Sequence, residues 1–168
     1  MRRRLLLASL ALTPLLAACA GGLTRMAAGP DEMTMGGTLI VVRHTERTGD
    51  DLNAEGVARA AALAEALGGV EIDGIFAPAT QRNIDTAMPL AEAKGLEVQV
   101  IPAVDIARTM FKRQPGGTLV WVGNKDNLAA LWEEIGAGGE PPILYGEMFI
   151  VPMSGLSAGR VERSRFGA

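Results

Sequence analysis

From residue 36 onward, short apolar runs alternate with segments whose apolar residues recur at helical spacing. The apolar runs predict strands at 36–42, 72–77, 97–101, 118–122, 148–151 and 160–165. The helical spacing predicts helices at about 54–67, 81–94, 104–111 and 128–135, and glycines follow three of them. This alternation predicts a three-layer α/β/α sandwich with a mostly parallel central sheet. The last two strands, joined by a turn at 155–159, predict an antiparallel edge.

Residues 1–18 have the pattern of a bacterial signal peptide. Three arginines precede an apolar run at 5–18, which is too short to span a bilayer. The run ends in Leu16-Ala17-Ala18-Cys19, which resembles the lipobox in which the cysteine is lipidated. The alternatives are an ordinary cleaved signal with a chance cysteine, or a loose membrane anchor. We expect a lipid-anchored protein of the bacterial cell envelope, and Ala20 after the cysteine favours the outer membrane, facing the periplasm.

The chain therefore divides into a lipoprotein signal peptide (1–18), a flexible tether (19–36) and one domain (37–168). The signal holds three of the sixteen basic residues and none of the nineteen acidic ones, so the remainder carries a formal charge of −6. This balance, with no stripe of aromatic and basic residues, argues against nucleic acid as a partner. An anionic ligand would have to be held by a local group of arginines against the net field of the protein.

Three loops with polar side chains leave predicted strands at one edge of the sheet. Arg43 and His44 follow the first strand, Arg82 begins the second helix, and Asn124 and Lys125 follow the 118–122 strand. In open α/β sheets, ligands bind beyond the carboxyl ends of the strands. Helix N-termini add backbone donors for an anion there. An imidazole beside a guanidinium suits attack on a phosphoryl group. The loops together predict a phosphate site.

These segments resemble the histidine phosphatase superfamily, also called the phosphoglycerate mutase-like fold, from about residue 38 to the end. The matching pieces are a strand followed by Arg-His at 41–46, an "L-T-x-x-G-x-x-R-A" helix start at 52–60, an "S-x-x-x-R-x-x-x-T-A" segment at 76–87 and the strand at 118–123. The resemblance implies a short form without a cap domain.

The resemblance also implies a two-step phosphoryl transfer. His44 would attack phosphorus to form a phosphohistidine, which water would hydrolyse, while Arg43 and Arg82 hold the phosphoryl oxygens. It implies no metal and no cofactor. The implied substrate is a small phosphorylated molecule or a phosphoprotein.

One residue departs from the family pattern: Asn124 stands where the superfamily usually has a second histidine. An amide can donate a hydrogen bond to the phosphoryl group but brings no charge. The loss corresponds to roughly 1–3 kcal/mol of transition-state stabilisation. Lys125 either restores a cation or is a solvated residue at a helix start. For the general acid, the sequence leaves Glu46 and Asp105 equally open.

Three other arginines and the two tryptophans are expected to have structural roles and not to belong to the phosphate site. Arg47, Arg59 and Arg108 are expected on solvated faces, and the two tryptophans in the core. Two functions stay open: a metal-independent phosphatase of the envelope, or a catalytically weak or inactive member that binds a phosphorylated ligand or an envelope partner. A purely structural lipoprotein would leave the Arg43–His44 pair without a reason.

Overall fold

A computed structural model describes residues 35–167 of the 168-residue chain. The predicted signal peptide, the lipidation site Cys19 and nearly all of the predicted tether lie outside the described residues. Within residues 35–167, no helix combines the length and the apolar character that crossing a bilayer requires.

Nine strands and four helices make up the described part. In chain order they are β1 (Gly36–Arg43), β2 (Arg47–Thr48), β3 (Asp51–Leu52), α1 (Ala54–Ala66), β4 (Gly74–Ala77), α2 (Gln81–Lys94), β5 (Val98–Val100), α3 (Ile106–Arg113), β6 (Thr118–Gly123), α4 (Lys125–Glu134), β7 (Glu147–Ser154), β8 (Ser157–Ala158) and β9 (Glu162–Arg165).

The main sheet has the strand order β5-β4-β6-β1-β7, and β8 and β9 pair with β7 at the edge. The pairs among β5, β4, β6 and β1 are parallel, whereas β7 runs antiparallel to β1, β8 and β9. The predicted fold class is thereby confirmed: a mostly parallel central sheet flanked by helices, with antiparallel pairing at one edge. Strand β1 lies inside the sheet between β6 and β7, so its carboxyl end is central.

Alternation along the strands divides the core into two apolar clusters. On β1, Leu39 and Val41 face the cluster that includes α3 and α4, whereas Ile40 and Val42 face the cluster that includes α1 and α2. All four side chains are buried. A strand covered on both faces must be apolar at every position, which is why β1 reads as a continuous apolar run.

Local signals place the helix ends. Asn53 caps α1, with its side-chain oxygen accepting from Gly56 N at 2.9 Å, and Gly95 ends α2 in the left-handed conformation at φ 65°. Helix α2 continues through Pro89, where the sequence predicts a kink or a late restart. The two-residue strands β2 and β3 are not predicted from the sequence pattern, and they form a small hairpin directly after the loop that carries His44.

Candidate functional site

The loop after β1 begins beside the end of β6. Arg43 is paired with Gly123 in the parallel register, and the next backbone amide, His44 N, donates to Gly123 O at 2.8 Å. His44 and Asn124 therefore lie side by side, each directly after the end of one of two neighbouring strands. Helix α2 begins after β4, on the other side of β6, and it brings Arg82 to the same edge. The sheet topology thus gathers the three predicted loops.

The imidazole of His44 has a defined tautomer. Its Nδ1 atom lies 2.8 Å from Thr45 O, and because a carbonyl oxygen only accepts, Nδ1 carries the proton. Nε2 then holds the lone pair, and it accepts a hydrogen bond from Arg82 Nε at 3.3 Å. The nitrogen that could attack phosphorus is therefore the one that faces a guanidinium.

His44 is held in its neutral form. Burial is the largest cause that lowers its pKa from 6.5 to about 4, and the charges of Arg43, Arg82 and Arg47 lower it further, against an opposing hydrogen bond to Thr45. The side chain is only 2% exposed. A neutral imidazole has a free lone pair throughout the neutral pH range, so no separate base is needed to deprotonate it.

Arg82 links the imidazole to an acidic side chain. While its Nε contacts His44, its Nη1 lies 3.6 Å from Asp50 Oδ1, at the turn between β2 and β3. The Asp50 side chain is 93% exposed, so this ion pair is screened by solvent. An anion that binds Arg82 would have to compete with this carboxylate.

Arg43 is fixed by the segment before β7. Its Nη1 donates to Ile143 O at 2.7 Å and its Nη2 donates to Tyr145 OH at 3.3 Å. The guanidinium carbon lies 4.1 Å from the centre of the Tyr145 ring, which itself stands 5.8 Å from the His44 ring. The Arg43 Nε atom is buried without a hydrogen-bond partner among the described residues.

Glu46 is bound to Arg59 on α1. Arg59 Nε lies 2.7 and 2.9 Å from the two carboxylate oxygens, and this contact raises the pKa of Arg59. The expectation that Arg59 lies on a solvated face is therefore wrong, because its side chain is only 10% exposed. A Cβ built on Gly56 would overlap Glu46 O. The "G-x-x-R" spacing thus lets α1 approach the loop after His44, and it places Arg59 where it binds both carboxylate oxygens of Glu46. Glu46 therefore has a structural partner.

Asn124 is the N-cap of α4. Its Oδ1 accepts from Asp126 N and Asn127 N, both at 3.2 Å, while Asn127 Oδ1 accepts from Asn124 N at 2.9 Å. This capping box occupies backbone donors at the start of α4 that could otherwise bind an anion. Only the Nδ2 of Asn124 is left to reach a phosphoryl group. Lys125, the first residue of α4, is exposed.

Asp105 lies at the same carboxyl edge of the sheet as His44, but it follows the outermost parallel strand. It precedes α3 after the edge strand β5, which is separated from β1 by β4 and β6. Its backbone is left-handed, with φ at 46°, and its side chain makes no capping bond. The role of Asp105 as a general acid therefore stays a prediction. Among residues 35–167, no three His, Cys, Asp or Glu side chains form a group that could hold a metal ion.

Several residues of this site are absent from the sequence-based prediction. Asp50 belongs to the unpredicted hairpin, and Tyr145 arrives from a segment about 100 residues away from Arg43. Thr45 and Thr86 are fully buried polar residues whose bonds connect the first loop with α2. The one signal that could have found Thr86 is the "T-A" of the segment at 76–87.

The fold and the site define an α/β domain that sets a neutral histidine beside arginines at the carboxyl edge of a parallel sheet. The model of the histidine phosphatase superfamily (branch 1) matches residues 39–105, the segment that carries Arg43, His44 and Arg82. A search of curated proteins returns no significant match.

Solved structures share the fold. The tungstate complex of the protein histidine phosphatase SixA aligns with 76% of this chain and 96% of its own, at a TM-score of 0.63 and 15% identity. Bacillus stearothermophilus YhfR aligns with 73% and 94%, at a TM-score of 0.62 and 15% identity. A mycobacterial glucosyl-3-phosphoglycerate phosphatase with inorganic phosphate aligns with 78% and 97%, at a TM-score of 0.57 and 18% identity. The chain is therefore similar to the histidine phosphatase superfamily, through the family model over residues 39–105 and through a fold shared along most of the described residues.

Proposed function

We propose that the protein is a metal-independent phosphatase-type hydrolase that acts through a phosphohistidine on His44. The observation that carries this proposal is the imidazole itself: its proton is fixed on Nδ1, and its Nε2 lone pair lies 3.3 Å from Arg82 Nε. Phosphoryl transfer depends mostly on positioning and on stabilising spread negative charge. This corner of the sheet supplies a nucleophile in the required protonation state, next to a guanidinium.

The reaction has two displacements. Nε2 attacks phosphorus, so that a P–N bond forms while the P–O bond to the leaving group breaks. Water then attacks the phosphohistidine, the P–N bond breaks and the lone pair returns to Nε2. Arg82, whose Nε faces the imidazole, and Arg43, the residue before it in the loop, would hold the phosphoryl oxygens.

The substrate class is a phosphomonoester or a phosphoprotein. Both kinds appear in the names of proteins that share the fold, one a protein histidine phosphatase and another a phosphatase of a small phosphorylated sugar acid. The hairpin turn at Asp50 and the Tyr145 segment flank the imidazole, and they are the surfaces that would contact the rest of the substrate.

A second candidate is a catalytically weak or inactive member that binds a phosphorylated ligand or an envelope partner. The observation that favours it is the Asn124 side chain, whose oxygen is committed to capping α4. The site then has no second imidazolium to stabilise the transition state. Such a protein would bind oxyanions without turnover.

Turnover of an activated aryl phosphate separates the two candidates. We expect purified protein to hydrolyse 2,4-dinitrophenyl phosphate in the presence of EDTA, and His44→Ala to lose this activity. Added alcohols should divert a constant fraction of phosphate to alkyl phosphate whichever aryl leaving group is used, because all substrates pass through one phosphohistidine. Equal rates for the two proteins would rule out His44 as the nucleophile, and tungstate binding without turnover would favour the second candidate.

We also propose that Cys19 is lipidated and holds the domain at the bacterial envelope, on the periplasmic face of the outer membrane. The support is the sequence pattern of a charged start, a short apolar run and Leu16-Ala17-Ala18-Cys19. Metabolic labelling with a palmitate analogue tests this proposal. The native chain should carry the label and be found in the membrane fraction, and Cys19→Ser should lose the label and the membrane association. An unlabelled native chain, or unchanged membrane association of the variant, would contradict it.

A further inference from the structure

A closed ring of hydrogen bonds passes through both nitrogens of the imidazole. His44 Nδ1 donates to Thr45 O at 2.8 Å, and Thr45 N donates to Thr86 Oγ1 at 3.1 Å. The Thr86 hydroxyl donates to Arg82 O at 2.7 Å, and Arg82 Nε donates back to His44 Nε2 at 3.3 Å. The nucleophile and the arginine that faces it are therefore joined through Thr86.

The hydroxyl of Thr86 is fully used in this ring. Its one hydrogen goes to Arg82 O, so Thr45 Oγ1 must be the donor of the 3.2 Å bond between the two hydroxyls. Thr86 Oγ1 thus donates once and accepts twice. Both threonines are 0% exposed, so solvent cannot take over these bonds. A buried hydroxyl is tolerated only when its bonds are made, and removing it strands the partners, here above all Thr45 N.

Two buried polar side chains that follow Arg82 hold the first turns of helix α2 in place. Thr86, one turn further along, ties the helix to the loop after β1, and the buried Asn83 donates from Nδ2 to Val122 O on β6 at 2.9 Å. These are the two strands whose ends carry His44 and Asn124. The base of the Arg82 side chain is therefore located relative to the imidazole by buried polar bonds in addition to apolar packing.

We propose that Thr86 is a positioning residue for the phosphohistidine chemistry. It holds the Thr45 backbone so that the Thr45 carbonyl keeps the imidazole proton on Nδ1, and it holds the first turn of α2 so that Arg82 faces Nε2. This role deepens the proposed function, since it concerns the same nucleophile. It also explains why a hydroxyl stands at a fully buried position that valine would fill with the same shape.

The chain contains one histidine, so its imidazole gives a single set of nitrogen signals when the protein carries a histidine-free purification tag. In the native protein we expect the proton on Nδ1 and a titration midpoint near pH 4. Thr86→Val should give a mixture of tautomers, because the Nδ1 proton loses its fixed acceptor. The tautomer ratio is the readout, since loss of the Thr45 acceptor lowers the His44 pKa whereas loss of the close guanidinium raises it. Thr86→Ser keeps the hydroxyl and should restore the native spectrum.

Kinetics provide the second readout. With 2,4-dinitrophenyl phosphate, Thr86→Val should lower kcat roughly 10- to 100-fold, as expected when a nucleophile is misplaced, while Thr86→Ser stays within about threefold. Leu131→Ala, in the apolar cluster on the other face of the sheet, is the control: it should lower the melting temperature but leave the tautomer and kcat unchanged.

A Thr86→Val protein with native tautomer and kcat would overturn the proposal and leave Thr86 as a packing residue. Should this variant fail to fold, Thr86→Cys, whose thiol is a weak donor and acceptor, should show the same changes in smaller degree, and a native spectrum there would also overturn it. The NMR readout needs no turnover. An inactive native protein with an intact Nδ1–H tautomer would therefore contradict the proposed function alone.

Discussion

Replacing Asn124 by histidine tests how much the missing imidazolium matters. In the structure the asparagine oxygen caps α4 by accepting from Asp126 N and Asn127 N. Histidine is a poor N-cap, so Asn124→His gives up these bonds while it introduces a side chain that can donate a charged hydrogen bond to the phosphoryl group. The substitution therefore has opposite effects on stability and on catalysis.

The two magnitudes follow from the contacts. Loss of the cap costs about 1 kcal/mol, which for a domain of this size lowers the melting temperature by roughly 3–6 °C. A charged donor in place of a neutral one is worth roughly 1–3 kcal/mol in the transition state, or about one to two decades in rate. The gain should grow as the pH falls from 8 to 6, because more of the new imidazole is then protonated.

The assay pairs thermal unfolding with initial rates on 2,4-dinitrophenyl phosphate. Asn124→Ser is the matched control, because serine caps a helix but has no amide donor. It should melt close to the native protein and show no gain in rate. An Asn124→His protein that melts like the native one would refute the role assigned to the cap. A folded variant without any gain at pH 6 would show that the absent charge is not what limits this site.

Three further outcomes follow from the structure. Gly56→Ala should lower the free energy of unfolding by more than about 2 kcal/mol in urea titrations, because its Cβ overlaps a backbone oxygen, whereas Gly69→Ala, which points into open space, should be nearly neutral. The pKa of His44 is lowered on folding to about 4, so the unfolded chain takes up a proton first. Stability should be complete above pH 6.5 and fall by up to about 3 kcal/mol as the pH drops to 4, and a His44→Gln variant should lack this loss. Asp50→Asn should tighten tungstate binding by roughly two- to fivefold at low salt in calorimetry, and equal affinities there would show that the carboxylate does not compete for its arginine.

Most of the fold could be predicted from the sequence because it depends on patterns that are local. Strand β1 is apolar at 39–42 since both of its faces are covered, and Asn53 and Gly95 mark helix ends through their own backbone preferences. The hairpin of β2 and β3 could not be predicted in this way. Its strands have two residues each, too few for any periodicity, and Gly49 alone marks its turn.

Only those residues of the site that follow the ends of the parallel strands could be predicted from the sequence. His44 and Arg82 meet because parallel strands end at one edge, and the spacing of motifs indicates this. Tyr145 and Asp50 reach the site through loop geometry, for which the sequence has no local signal. Asn124 does have a local signal, because an asparagine followed three residues later by Asn127 is a helix-capping pattern. From the sequence, Asn124 is interpreted only as the replacement of a histidine.

The lowered pKa of His44 also leads to a prediction of which displacement is slow, if the protein acts as proposed. An imidazole of low basicity is a weaker nucleophile but a better leaving group, so it slows the attack on the substrate and speeds the hydrolysis of the phosphohistidine. We therefore expect no burst of aryl alcohol in rapid-mixing experiments and a rate that depends steeply on the leaving group. A burst stoichiometric with enzyme would show that breakdown of the intermediate is the slow step, and that His44 is more basic during the reaction than its surroundings in the unliganded protein imply.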